Sequence, residues 1–335
     1  MPTELEESRK KKIVVVVQEI EMGCDRMEEV EIFDNSKIGV KDLVNSGITS
    51  IPKIFIYPSE NLSDLKVAAS CMEIPTIDLS NINSEDQRVN IVNQIKDASE
   101  TWGFFQIINH VMPMQVMNET ISAFKCCREQ DDMVTYFNNQ ILSNAKAVNW
   151  KDSVIAYITP GSGLESYDGI PTGCRKELML LDNYIVKLGD ILMELMCEGL
   201  GVEPGKLKAL TCLESHKMNE VSGLQVKHGQ EWVEVKPKDG GIIVNVGDLL
   251  QIFSNDLYKS VEHRVMANSS RDPRVSIGVF FSPGKNGDKD YYGTLVELLT
   301  PEKPALYRTF NMGEVRKLVK ASDSGTKELV DLFKL

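Results

Sequence analysis

Histidine is scarce in this chain of 335 residues: there are four, at positions 110, 216, 228 and 263, so any metal site has few imidazoles to draw on. Cysteine pairing is missing as well. The seven cysteines are odd in number, follow no framework and form no C-x-x-C, which argues against a disulfide scaffold or a zinc ribbon and predicts a reducing compartment. No long apolar run appears near the N-terminus, where RKKKIVVVV offers only Ile13 to Val17 before an acidic stretch. That run is too short for a signal peptide or a membrane anchor, and the expected setting is the cytosol. Positive charge is in deficit, 37 Lys plus Arg against 49 Asp plus Glu, for a formal net charge of −12. The balance disfavours a general binder of nucleic acid or acidic membranes, leaves a small-molecule substrate open, and fits an acidic monomer kept in solution by its charge. There is no internal repeat and no low-complexity segment.

What is present reads as helices first and short strands second. Residues 1–35 are charge-rich and peripheral; Asp34 is expected to cap a helix over Lys37–Asn45 that Gly47 ends, with IPKIF leading into an extended segment. EIPTIDLS reads as a short strand, residues 85–101 as a helix, and WGFFQIINH, Trp102 to His110, as a buried strand. Apolar spacing predicts a helix from Pro113 towards Phe137 and the strongest helix of the chain over Glu177–Leu200, with a short one near Pro204–Leu210. A strand is expected near Ser153–Ile158. Beyond residue 220, GLQVKHGQEWVEVKP alternates around a KHGQ turn as a hairpin does, and GGIIVNVGDLLQIFSN, SVEHRVMAN and RVSIGVFFSP supply three further strands before a terminal helix. This order predicts a curled antiparallel sheet with packed helices.

Two residues stand out chemically. His263 alternates with Val261 and Val265, so it is expected on their face, towards the core, either as a hydrogen-bonded structural residue or as a metal ligand. Arg274 precedes Ser276 by two residues on one strand face. A guanidinium inside a barrel needs a carboxylate, and this pair suits a bidentate grip on a dicarboxylic acid plus one hydroxyl bond; a surface salt bridge is the plainer reading.

At these residues the chain resembles a family. WGFFQIINH, GLQV, NVGDLLQIFSN, YKSVEHRV and RVSIGVFF look like the plant iron(II) and 2-oxoglutarate-dependent dioxygenases. The stretch Phe33 to Phe55 and NWKD at Asn149 to Asp152 are similar to the 1-aminocyclopropane-1-carboxylate oxidase homologue branch. The resemblance runs from about residue 30 nearly to the C-terminus. It implies an α+β, mainly β fold: a double-stranded β-helix, or jelly roll, with an N-terminal helical region and a C-terminal helix. The corresponding divisions are an N-terminal extension (1–70), strand plus helices (71–215), a contracted jelly-roll domain (216–315) and a C-terminal helix and tail (316–335). It also implies Fe(II) held by two histidines and an aspartate, 2-oxoglutarate as cosubstrate, ascorbate as the family's reductant, and hydroxylation or demethylation of a small organic plant metabolite. By match, His263 is the distal iron ligand, Arg274 and Ser276 grip the far carboxylate of 2-oxoglutarate, and Phe281 lies near the substrate pocket.

The other half of the implied site is absent. Between the helix ending near Leu210 and GLQV, the family pattern carries a tyrosine-proline-rich strand and then H-x-D; here TCLESHKMNEVS runs straight into GLQV, no aspartate occurs from Thr211 to Lys236, and no H-x-D occurs anywhere. His216 is the one histidine in the gap, but Met218 stands two places on, and a thioether is a poor ligand for hard iron(II). Glu214 and Glu220 are the carboxylates nearby. His216 matches better the histidine before the missing strand, His110 reads as structural, and His228 as a turn residue facing solvent. The missing piece, roughly two dozen residues, is enough for two strands and their turn. A second shortening falls between Phe137 and Asn149, and two contractions fit lost coding segments better than tuned loops. An incomplete roll exposes strand edges, and with them apolar residues such as Ile243, Ile252 and Phe253. Two readings follow: an oxidoreductase with an unusual site, and a catalytically inactive relative serving as a scaffold or interaction protein.

Overall fold

A computed structural model describes residues 26–36, 38–56, 72–130, 147, 148, 150, 151, 172–210, 212–214, 223–267, 275–283, 290–321 and 329–335. The chain divides into two compact units, one of residues 1–65, 133–155 and 322–326 and one of 66–132, 156–321 and 327–335.

The first unit holds α1 (Arg26–Ser36), α2 (Val40–Asn45) and a 3-10 turn, Lys53–Phe55. Asp34 lies inside α1 and does not cap the helix that follows. That helix begins at Val40, because Asp42 turns its carboxylate back to accept the Gly39 N–H at 3.0 Å and so satisfies a donor of the first turn. IPKIF closes as a 3-10 turn, in which the Phe55 N–H donates to Pro52 O at 3.0 Å; the extended segment expected beyond it lies outside the described residues. Phe55 meets Phe33 and Trp150 edge-on, at 5.1 and 4.8 Å, and these rings pack with Leu43, Ile54 and Val148 into one apolar cluster.

The second unit holds β1 (Thr76–Asp78), α3 (Glu85–Thr101), β2 (Phe104–Ile108), α4 (Met114–Gln130), α5 (Thr172–Leu200), α6 (Lys206–Leu210), β3 (Cys212–Glu214), β4 (Leu224–His228), β5 (Glu231–Glu234), β6 (Ile242–Asn245), α7 (Asp248–Phe253), β7 (His263–Val265), β8 (Phe280–Ser282), α8 (Met312–Ala321) and α9 (Leu329–Phe333). The 29 residues of α5 form the spine, longer than the periodicity predicted. Its first half packs on α4 through Leu178, Leu181 and Ile185; its second half packs on α3 and β2 through Leu188, Leu195 and Met196. Arg88 of α3 pins the two helices together, its guanidinium reaching Glu198 Oε1 at 2.5 Å and Glu194 at 3.3 Å.

The sheets are short and open. β1 and β2 pair in parallel and β2 pairs antiparallel with β6; β3 pairs with β8; β5, β4 and β7 form a third sheet in that order. Among the described residues, β6, β7 and β8 each have a strand on one side only. The expectation of a mainly β fold is corrected accordingly: helices hold more of the described residues than strands, and the strands are three to five residues long. NVGDLLQIFSN also departs from a continuous strand. Gly247 precedes α7, which turns Ile252 and Phe253 into the core, where they are buried and not exposed as an open wall would have left them; Ile243 is half-buried.

Gly103 shows why the turn from α3 into β2 needs glycine: its φ is +62°, and a Cβ there would lie 2.2 Å from Lys259 O. The expected strand near Ser153–Ile158 lies outside the described residues.

Candidate functional site

His263 opens β7 opposite Val226 of β4. The alternation places it on the face of the buried Val226 and Val233, and its ring lies 5.3 Å from that of Phe104, tilted by 59°. Yet the imidazole is exposed, and so is Val265 at 54%. The face is the expected one; the burial is not, because β7 is an edge strand with β4 as its one described neighbour. His263 Nδ1 lies 3.3 Å from Val261 O.

Ser276 is half-buried beside the buried Ile277, while Arg274 lies outside the described residues, so the pair has one described member. Phe281 sits in β8 opposite Leu213, and its ring packs against α5, where a Cβ on Gly189 would lie 2.5 Å from Cε1. His216 lies outside the described residues.

The remaining histidines do structural work. His110 donates from Nε2 to Gly240 O at 2.9 Å and accepts the Met112 N–H on Nδ1 at 3.3 Å; burial holds its pKa below the ordinary value, against the opposing pull of the Gly240 hydrogen bond. His228 does not face solvent. It is half-buried and stacks on Trp102, with ring centroids 3.9 Å apart and planes within 9°. The sequence reading missed this stack, and it missed Gln106, a buried carboxamide on β2. Gln106 donates to Lys236 O at 2.8 Å and accepts from the Lys238 N–H at 3.1 Å, which fastens the loop ahead of β6. A polar residue inside an apolar strand run was the available signal.

Among the described residues, no three His, Cys, Asp or Glu side chains come together as a metal-binding group. An iron(II) site of this kind takes two imidazoles and a carboxylate on one face of the metal. One exposed imidazole on a strand edge does not fit that donor set.

A family model described as "non-haem dioxygenase in morphine synthesis N-terminal" matches residues 74–129, and one described as "2OG-Fe(II) oxygenase superfamily" matches residues 200–283. The chain is 34% identical to 1-aminocyclopropane-1-carboxylate oxidase homolog 11 of Arabidopsis thaliana over 87% of this chain and 92% of the relative. It is 35% identical to homolog 1 of the same plant, over 92% and 97%, and 34% identical to a homolog of Solanum lycopersicum, over 86% and 91%. The alignment with homolog 11 spans 338 positions, more than the whole of this 335-residue chain, while taking in 87% of it; the surplus is positions where the relative has a residue and this chain has none. Among solved structures, JOX2 in complex with 2OG, Fe and JA aligns with a TM-score of 0.75 at 23% identity, over 89% of this chain and 98% of that one. The rice dioxygenase for auxin oxidation aligns at 0.61 and 21%, over 78% and 100%. These likenesses give the fold, that of the double-stranded β-helix oxygenases. On the identity and coverage of its relatives, the chain belongs to the 2-oxoglutarate and iron(II) oxygenase family, in the branch of the 1-aminocyclopropane-1-carboxylate oxidase homologues.

Proposed function

We propose that this chain is an inactive scaffold of its family, a double-stranded β-helix from which two strands and two of three iron ligands have been lost. One observation carries the reading: no H-x-D occurs in the sequence, and the interval between Thr211 and Lys236, where the family carries it, has no aspartate. Among the described residues β6, β7 and β8 each have one strand partner, which supports it, since a strand pair removed from a closed roll leaves its former neighbours with one partner each. Oxygen activation at iron(II) needs a facial set of protein ligands that fixes the geometry and leaves places for cosubstrate and oxygen, and a single imidazole supplies no such control.

The ancestral activity on this reading is oxidation of a small metabolite, by hydroxylation or demethylation, coupled to decarboxylation of 2-oxoglutarate. Survival of His263, Arg274 and Ser276 favours a second reading, an enzyme working through replacement ligands. On the first reading the three are remnants, His263 of the metal site and Arg274 with Ser276 of the grip on 2-oxoglutarate, and Phe281 is a fourth, from beside the substrate pocket.

Succinate release from 2-oxoglutarate in air, with iron(II) and ascorbate, separates the two. The inactive reading predicts succinate no faster than in the protein-free blank, while a chimera with the tomato homolog's extra positions restored turns over. Succinate from the unaltered chain above the blank, abolished in His263→Ala, contradicts it.

A further inference from the structure

β2 and β6 pair as far as Ile107 opposite Ile242, and the same register carried on would set Gly240 opposite Asn109. The ladder stops short of that pair. Asn109 takes a φ of +53° while its carboxamide donates to Asp78 Oδ2 at 2.9 Å, and the ring of the next residue makes the connection instead. His110 Nε2 lies 2.9 Å from Gly240 O, and the Met112 N–H lies 3.3 Å from Nδ1. A carbonyl only accepts and a peptide N–H only donates, so the two contacts together need a neutral ring with its proton on Nε2. We infer that His110 is an acid-released latch, whose neutral imidazole holds the Gly240 end of the loop before β6 against the turn that enters α4.

Protonation puts a second N–H on Nδ1, facing the Met112 N–H. Two donors repel, and the cation is poorly solvated where the ring lies half-buried. Turning the ring to water relieves both and takes Nε2 away from Gly240 O. The seat it leaves is close-fitting: Gly240 has a φ of +66°, and a Cβ there would lie 3.2 Å from Cγ and Sδ of Met114, the first residue of α4. The other end of the loop is fastened separately, with Lys236 O and the Lys238 N–H both bound to the Gln106 carboxamide, which does not titrate. Release is therefore local to Gly240 and the adjoining end of the β2–β6 ladder. The charged groups around the ring are Lys236, paired with Glu73 at 3.1 Å, Lys238, Asp239 and, on β1, Asp78, all exposed, and the first turn of α4 has no acidic residue. Both of the ring's hydrogen bonds go to backbone, so no carboxylate holds a proton on it. Burial keeps its pKa below the ordinary value of about 6.5, so the latch is shut at neutral pH and opens as pH falls through that lowered value.

Nuclear magnetic resonance of the full chain between about pH 7.5 and 5.5 tests this, reading the ring nitrogens of His110 alongside amide hydrogen exchange corrected for its intrinsic pH dependence. At the upper end the ring carries its proton on Nε2. As the ring titrates, protection of the Met112 amide falls in step with it, by about tenfold or more, while the Lys238 amide keeps its protection. In His110→Gln, whose carboxamide cannot titrate, the protection of Met112 no longer follows pH. If that variant does not fold, the contrast between Met112 and Lys238 in the native chain decides alone. A proton on Nδ1 at neutral pH, protection at Met112 that stays flat through the ring's titration, equal losses at Met112 and Lys238, or the same loss at Met112 in folded His110→Gln would each overturn the inference.

Discussion

The ring of Phe281 in β8 rests on the backbone of Gly189 in α5, so closely that an added Cβ would lie 2.5 Å from Cε1 and 2.6 Å from Cζ. This contact joins the two-stranded β3–β8 sheet to the helical spine, and it engages in packing the residue that the family resemblance places near a substrate pocket. Gly189→Ala is therefore expected to destabilise by about 1–3 kcal/mol through overpacking, despite alanine's better helix propensity. Urea unfolding of Gly189→Ala alone and combined with Phe281→Leu checks it: the smaller side chain should recover part of the loss. An unchanged midpoint in the single variant would show that the ring is free to move away.

His263 leads to the opposite expectation. Its ring is exposed on a strand edge, with Phe104 on one side, so His263→Ala should change unfolding free energy by less than about 0.5 kcal/mol, as for surface positions in general. A larger loss would point to a structural role for the imidazole.

His110 couples the fold to acid. Burial holds its pKa below the ordinary histidine value of about 6.5, so the unfolded chain binds a proton more readily than the folded one. Its contribution is fully present above pH 6.5 or so and is lost as pH falls through the depressed folded value. Unfolding free energy measured from pH 7.5 to 5.5 should decline in the native chain, and decline less in His110→Asn, which does not titrate. Parallel slopes would contradict the assignment.

Gln106 makes a sharper case, because both of its hydrogen bonds go to backbone groups of the segment before β6. Gln106→Leu keeps the volume and leaves Lys236 O and the Lys238 N–H without this partner, an expected cost of about 1–3 kcal/mol. Hydrogen exchange should quicken first at Lys238.

Much of the framework was legible in the sequence. The run WGFFQIINH announced β2, strict alternation announced the β4–β5 hairpin, and heptad-like apolar spacing announced α5. What was misread has physical causes. LLQIF is a short apolar run whose periodicity does not separate strand from helix, and the preceding Gly247 and Asp248 decided for helix. His228 looked like a solvent-facing turn residue because its partner, Trp102, is distant in sequence. His263 is exposed because β4 is the one strand beside β7 among the described residues, and alternation reports the face of a strand without reporting what covers it. The absence of H-x-D, by contrast, was plain from the letters alone.

The central claim is that this chain no longer assembles the iron and 2-oxoglutarate site of its family. Anaerobic titration of the purified protein with iron(II), with and without 2-oxoglutarate, tests it most directly through the visible absorption of the metal–keto acid chelate. The account predicts no protein-dependent band at millimolar ligand in protein shown to be folded. A stoichiometric band that vanishes in His263→Ala would contradict it and establish a site built from replacement ligands.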